Sequence, residues 1–376
     1  MRRLDVRSVA LGIAAPVLAL LLALVVGTFV ITLSGASPAS AVEAINKSAH
    51  LARIQTATVN AAITYYLAAV AVAVGFRMNL FNIGVDGQYR VAAMLAAAAG
   101  AAWTLPPVLH QVVIIAVAVA AGAAWSGIAA VLKVTRGVSE VISTIMLNAI
   151  ATALVAWLIL PAQFGVQLPG SNDLSTATIG GSGRIPSFPA FPGPGSTQGI
   201  SGLIVLALAV GLGYWFLMGF TRFGFDLRAT GASASAAVAS GVNVSRMVVT
   251  SMLISGGVAG MVGLPVLLGS SYSYGLNFPT GIGFTGIAVA LLGRNHPLGM
   301  VFGALLWSFL ERTSNGLQAV QPVKISAEIV TIVQGVIVIS VVVAYELVRR
   351  YRLVLQQRAV GRTAAPIGPT STEVPA

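Results

Sequence analysis

Residues 91–132 read VAAMLAAAAGAAWTLPPVLHQVVIIAVAVAAGAAWSGIAAVL and contain no Asp, Glu, Lys or Arg. A helix needs about 20 mostly apolar residues to cross about 30 Å of hydrocarbon, so this stretch is long enough for two. Pro106-Pro107 falls mid-run and marks the break, because proline lacks the N–H that a helix interior requires. Barrel strands would show strict alternation over about ten residues, whereas this run is continuous in Ala, Leu, Val and Gly. The stretch predicts two transmembrane helices joined by a tight turn.

Working outward, residues 8–42 are also free of those charges, and the apolar part, 9–33, is long enough for one span. Further spans are predicted near 57–76, 139–160, 200–219, 247–269 and 325–348. Two shorter apolar pieces, 284–293 and 298–310, are split by Arg294-Asn295-His296-Pro297. Neither is long enough to cross unaided, and both read as broken or tilted helices buried by neighbours. The fold class is all-α: a polytopic membrane helical bundle of about ten transmembrane helices, with residues 1–348 as a single transmembrane domain. Arg2, Arg3 and Arg7 followed by an apolar stretch, with Ala39-Ser40-Ala41 beyond it, resemble a cleaved leader. The apolar stretch is about 25 residues against 7–15 for a leader core, so an uncleaved first span is preferred.

Composition excludes other classes. The chain is 57% hydrophobic and 8% charged, where a soluble domain carries about a quarter of its residues as charges. It has no Cys, which removes a disulfide scaffold, and is too apolar for disorder. The net charge of +11 is read against the bilayer. With the N-terminus inside, ten spans place Arg2, Arg3, Arg7, Arg77, Arg90, Lys133, Arg136, Arg222, Arg228, Arg246, Arg294, Arg349, Arg350, Arg352, Arg358 and Arg362 in the cytoplasm. Lys47, Arg53, Arg184, Arg312 and Lys324 stay outside, a 16 to 5 asymmetry that predicts both termini inside. Anionic lipid headgroups are then the expected partner of the basic charge, and nucleic acid is not needed.

Residues 161–199 form a Pro- and Gly-rich external loop, read as a flexible connector in preference to a docking surface through Phe188 and Phe191. The basic segment 349–376 is expected to be an unstructured cytoplasmic tail. The cytoplasmic segment 220–246 differs: residues 232–239 are an Ala/Ser run able to form a short helix ending at Gly241. With few large apolar anchors for headgroups, it is read as a docking helix for a protein partner.

No Lys follows a Gly, so a GxxxxGK[ST] phosphate loop is impossible and the chain cannot bind ATP in that way. His50, His110 and His296 lie far apart without metal-ligand spacing, and the sequence offers no catalytic constellation, so neither catalytic nor metal-binding residues are expected. What remains are polar clusters at membrane depth. Asn79, Asn82, Asp86 and Gln88, with Gly84 and Gly87 among them, fit unwound backbone lining a solute path. Asn148 lies two turns into the next polar cluster and must find a partner in the bundle or the solute. Glu140 is explained by the helix dipole after a Ser139 cap. Ser251, Ser255, Ala259 and Gly263 recur every fourth residue, with Gly256 and Gly260 alongside, as a close-packing stripe.

Four blocks in order, Phe81-Asn-Ile-Gly-Val-Asp-Gly-Gln88, Glu140-Val-Ile-Ser-Thr-Ile-Met-Leu-Asn148, Leu227-Arg-Ala-Thr-Gly231 and Gly286-Ile-Ala-Val-Ala-Leu-Leu-Gly-Arg-Asn-His-Pro-Leu-Gly299, resemble the permease subunits of bacterial ATP-binding cassette importers. The branch is that of ribose-type and, more closely, general nucleoside uptake systems, and the similarity covers most of residues 57–348. The chain departs twice: Asp86 stands where the family usually has Glu, and Ser235 where many permeases carry Glu in the coupling motif. The resemblance implies a multi-pass protein of the bacterial plasma membrane, paired with a second related permease. It implies an ATPase subunit that carries the ATP and docks on Arg228, Gly231, Ala236, Ala237 and Gly241. A substrate-binding lipoprotein outside completes the implied system, and the solute is a nucleoside or related polar molecule such as a sugar. No cofactor is implied on this chain. The alternative is an ion-coupled secondary transporter using Asp86, Glu140 or Glu311.

Overall fold

The computed structural model describes residues 6–33, 35, 37–167, 170, 172–193, 198–317 and 327–363. Its contacts fall into two compact units. One unit holds α1 (Val6–Leu33) and α14 (Ala327–Thr363); the other spans residues 39–327. α14 continues well past 349, so the segment expected to be an unstructured tail is helical as far as Thr363. Glu346 explains the start of that extension: it pairs with Arg349 and Arg350, three and four residues on, at 2.8 and 2.9 Å. Residues 364–376, the rest of the expected tail, lie outside the described residues.

The larger unit is built on α3 (Ala52–Phe76). Side chains 67–73 are all fully buried. A helix apolar on every side and rich in Ala and Val is suited to the middle of a bundle, because small side chains let neighbours approach. Around it pack α7 (Ile204–Phe220), α10 (Val244–Gly260), α12 (Ile282–Leu292) and α13 (Pro297–Leu317). α4 (Val85–Ala102), α5 (Pro107–Arg136) and α6 (Glu140–Leu158) form the next layer, α4 against both of the others and α5 against α10.

The break at Pro106-Pro107 is where the sequence placed it. α4 stops at Ala102, Trp103 is extended, and Pro107 takes the first helical position of α5. The break at 294–297 also holds: Arg294 and Asn295 both adopt left-handed conformations, with φ of 54° and 53°, and turn the chain from α12 into α13. The cap expected from Ser139 is not made by its side chain. Glu140 instead pairs with Lys133 Nζ at 2.5 Å, across the turn between α5 and α6. One helix was not foreseen, α2 (Pro38–Ala49), which contains Ala39-Ser40-Ala41. Among the described residues, five helices could by length and composition each cross a bilayer, or up to seven if two bent pairs are each one span. The protein is a helical membrane bundle. α4 carries Asp86, Gln88 and Arg90, and α12 has 11 residues, so neither qualifies alone.

The small-residue stripe on α10 is a packing surface. A Cβ on Gly256 would lie 2.5 Å from the Gly122 carbonyl oxygen, and one on Gly122 would lie 2.8 Å from Gly260 Cα, so α5 and α10 touch backbone to backbone. Ser255 donates to the Ala71 carbonyl at 2.6 Å and joins α10 to α3. Beyond Gly260 the helix passes through α11 (Leu264–Val266) into a π-helical turn, Leu267–Ser271.

The loop read as a flexible connector carries two short hairpins. β1 (Gly165–Gln167) pairs with β2 (Leu174–Thr176), and β3 (Ser187–Phe188) with β4 (Ile200–Ser201). It is fastened to the bundle by Thr176 N–H to Tyr274 O and Ile179 N–H to Tyr272 O, both 2.8 Å. His110 adds bonds to Ser182 Oγ at 2.8 Å and to Gly100 O at 3.0 Å, so the loop's hydrogen bonds are met by the helices beneath it.

Candidate functional site

The two ends of the larger unit carry different chemistry. At one end the α3–α4 turn meets the segment formed by α8 (Arg222–Ala232) and α9 (Ala234–Ala239). Asn79, left-handed at φ 55°, donates its side-chain N–H to the Gly231 carbonyl at 2.9 Å. A Cβ on Gly231 would sit 2.6 Å from the Arg77 carbonyl oxygen, so only glycine allows that approach. Arg228 donates to the Met218 carbonyl, Ala237 is buried, and Ala236 is exposed. Gly241 turns at φ 83°, as expected of a residue ending a short helix. Arg77 and Tyr214 both donate to the Asn295 carbonyl at 2.8 Å, which brings the α12–α13 turn to the same end.

The polar cluster expected to line a path is used inside the protein. Asn82, fully buried, donates to Gln88 Oε1 at 3.0 Å and to Ser255 Oγ at 2.8 Å, while Gln88 donates back to Asn82 Oδ1 at 2.9 Å. The Asp86 carboxylate accepts from the Gly281 N–H at 2.7 Å, at the entrance to α12. Asn148 Oδ1 accepts from Gly87 N–H at 2.8 Å, and its amide donates to the Ile83 carbonyl at 3.0 Å. The interrupted backbone at 79–87 leaves amide groups that cannot pair within a helix, and these side chains satisfy them or lock their neighbours. Asn79, Asn82, Asp86, Gln88 and Asn148 all lie off the lining of the cavity described next.

At the opposite end lies a cavity of about 670 Å³. Its walls come from the first half of α3, the π turn after α11, the start of α12, the loop strands around Ser187 and Ser201, and Glu311-Arg312 on α13. Tyr65 donates its hydroxyl to Glu311 Oε2. Arg312 Nη2 stands 4.0 Å from Glu311 Oε1, and its buried Nε has no hydrogen-bond partner among the described residues. Asn60 is committed to the loop, donating to Gly199 O at 2.9 Å and accepting from Ser201 N–H at 2.8 Å. Tyr272, held left-handed at φ 53°, lines the cavity and has the Arg184 guanidinium 4.3 Å over its ring. Among the described residues, Glu311 and Arg312 are the two charges in the lining, side by side and of opposite sign.

Sequence reasoning missed Asn60, Thr64, Tyr65, Tyr272 and Arg312 as cavity residues. Asn60 and Thr64 are polar, one turn apart in an apolar run, and Glu311-Arg312 is a charged pair at the end of another. Those were the available signals.

The larger unit is a helical membrane bundle with a polar cavity between its helices. The chain belongs to the family described as "Branched-chain amino acid transport system / permease component", whose match covers residues 54–342. It is 33% identical to a guanosine ABC transporter permease protein of Bacillus subtilis, over 88% of this chain and 93% of that one. A glucose ABC transporter permease protein of Haloferax volcanii is 29% identical, covering 91% and 90% respectively. A nucleoside ABC transporter permease protein of Lactococcus lactis is 29% identical, covering 74% and 76%. No solved structure matches. The chain is a permease subunit of an ATP-binding cassette importer, a class that works in general with an ATPase and a substrate-binding protein.

Proposed function

We propose that this chain forms one half of the translocation path of a bacterial plasma-membrane importer for nucleosides or a related small polar solute such as a sugar. Three relatives named for guanosine, glucose and nucleosides support that solute class. The observation that carries it is the cavity of about 670 Å³ with polar groups converging on it, inside the range of about 300–1,000 Å³ common for small-molecule sites.

The chain crosses about ten times with both termini inside, counting α1, α3 to α7, α10 and α12 to α14. The distribution of cations supports this orientation. Arg77, Lys133, Arg136, Arg222, Arg228, Arg246 and Arg294 belong to the α8–α9 end, against Lys47, Arg53, Arg184 and Arg312 at the cavity end. The ATPase, which holds the ATP, docks on α8–α9, where Phe225 and Val238 are 65% and 61% exposed. Arg228, Gly231, Ala236, Ala237 and Gly241 shape that surface, and the Asn79–Gly231 bond passes its movement to the α3–α4 turn. A second related permease closes the path, and a lipid-anchored binding protein delivers solute at the cavity end.

The ion-coupled alternative receives less support, since Asp86 is bonded to backbone and Glu140 to Lys133. Radiolabelled guanosine uptake in cells expressing the importer should collapse on ATP depletion and persist with a protonophore. Loss with the protonophore at undiminished ATP would reject the proposal.

A further inference from the structure

Resting on the proposed transport of a small polar solute, we propose that Arg90 is a solute contact midway along the path, outside the cavity. Its guanidinium binds two adjacent hydrogen-bond acceptors of a neutral solute.

Arg90 counts among the cytoplasmic cations when the sequence is read alone, yet it stands inside the larger unit, in the second turn of α4. Asp86, one turn before it, is bonded to Gly281 N–H at the entrance of α12. The 11 residues of α12 then run about 16 Å to the Arg294-Asn295 turn, which Arg77 and Tyr214 hold. In the other direction α4 continues from Arg90 to Ala102, about 18 Å. The cation is remote from both ends, too far for its side chain to reach either interface.

Asp86 and Arg90 have the i, i+4 spacing that favours an ion pair on a helix. They do not form one: the carboxylate turns to α12, and Arg90 Nη1 donates to Thr152 Oγ1 on α6 at 2.8 Å. Thr152 is set for this by giving its own proton to the Asn148 carbonyl at 3.1 Å, while Asn148 fixes α6 against Gly87 of α4. Tyr89 and Tyr274 lie near enough to feel the Arg90 charge, and neither supplies an anion. The buried Nε has no hydrogen-bond partner among the described residues. A cation without its anion and a buried N–H without an acceptor both weaken a bundle, so Arg90 is explained by what it meets and not by packing.

What it meets lies outside this chain. Arg90 is partly exposed, Thr152 is exposed, and the bond between them lies at the surface between α4 and α6. A charge at that depth does not face lipid, so this surface lines the path that the second permease closes. The planar fork of arginine suits two acceptors side by side, such as the carbonyl oxygen and ring nitrogen on one edge of a purine. Asp86 balances the charge one turn away, so the solute itself need carry none.

The test is equilibrium binding of tritiated guanosine and of 7-deazaguanosine, which lacks one acceptor of the pair, to the assembled importer complex in lipid nanodiscs. Wild type should bind guanosine about tenfold more tightly than the deaza compound. Arg90→Lys, which keeps the charge and loses the fork, should bring guanosine to the affinity of the deaza compound and leave the latter nearly unchanged. Equal losses for both compounds, unchanged guanosine affinity, or no discrimination in wild type overturn the assignment. Where Arg90→Lys does not assemble, Thr152→Cys supplies a unique thiol, since the chain has no Cys. It should react with a water-soluble methanethiosulfonate and be protected by guanosine. Reaction without protection overturns the assignment. No reaction in either the ATP-free or the vanadate-trapped complex overturns it too, by placing this face against lipid or the second permease. All these outcomes leave guanosine uptake by wild type intact, whereas absence of both its uptake and its binding overturns the assignment together with the proposed solute class.

Discussion

The Asp86 carboxylate accepts the Gly281 backbone N–H at 2.7 Å, tying the first turn of α4 to the entrance of α12. Gly283 N–H at 3.4 Å and the Tyr89 hydroxyl at 3.1 Å share the same oxygen. Asp86→Ala leaves the Gly281 donor without its acceptor, at a cost of about 1–3 kcal/mol. Asp86→Asn retains an acceptor oxygen and should lose less. The melting temperature of the purified protein should therefore fall in the order wild type, Asn, Ala. An unchanged Tm for Asp86→Ala would show that the bond contributes nothing.

That bond also marks how far the sequence could be read. Continuous apolar runs, the Pro106-Pro107 break and the interruption at Arg294-Asn295-His296-Pro297 were legible because each is local: apolar length, a missing N–H, a short polar interruption. Asn82, Gln88 and Asn148 were legible as polar groups needing partners at depth, but the partners were not. Ser255 lies 173 residues from Asn82 in sequence, and whether a deep amide meets protein or solute depends on which helix stands opposite. The cavity was hidden for the same reason: Tyr65 and Glu311 meet across 246 residues. α2 escaped notice because it is polar and short, and the helical course beyond 349 because a run of arginines reads as solvated tail when its Glu346 partner is overlooked.

Gly256 should not tolerate a side chain. The obstacle is the Gly122 backbone, 2.5 Å from where a Cβ would lie, and backbone cannot rotate aside. Gly256→Val should cost about 1–3 kcal/mol or more by overpacking α5 against α10. Gly219, on α7 with open space around it, serves as control: Gly219→Ala should be neutral or stabilise by up to about 1 kcal/mol. Monodispersity after detergent extraction measures both, and equal behaviour of the two variants would refute the backbone contact.

At the α8–α9 end, Gly241→Arg forces an L-residue into φ 83° at a cost of about 1–2 kcal/mol, at an exposed position. Membrane insertion and yield should survive, since no bundle contact is lost. Uptake should drop sharply as α9 is re-aimed away from the ATPase. Gly231→Ala acts differently, pushing on the Arg77 carbonyl, and should lower both uptake and thermal stability. Wild-type uptake in Gly241→Arg would remove α8–α9 from the coupling surface.

Orientation is open to a direct test because the chain has no cysteine, so each introduced thiol is unique. Thr178 is exposed on the loop between α6 and α7, and Ser235 is exposed on α9. Thr178→Cys should react with a membrane-impermeant maleimide in intact cells. Ser235→Cys should react only after permeabilisation, and its labelling should fall when the partner ATPase is co-expressed. The reverse pattern, Ser235→Cys labelled in intact cells and Thr178→Cys protected, would place the arginine-rich end outside. It would also leave α8–α9 facing away from any ATP supply, so the same experiment bears on topology and on the route by which ATP drives transport.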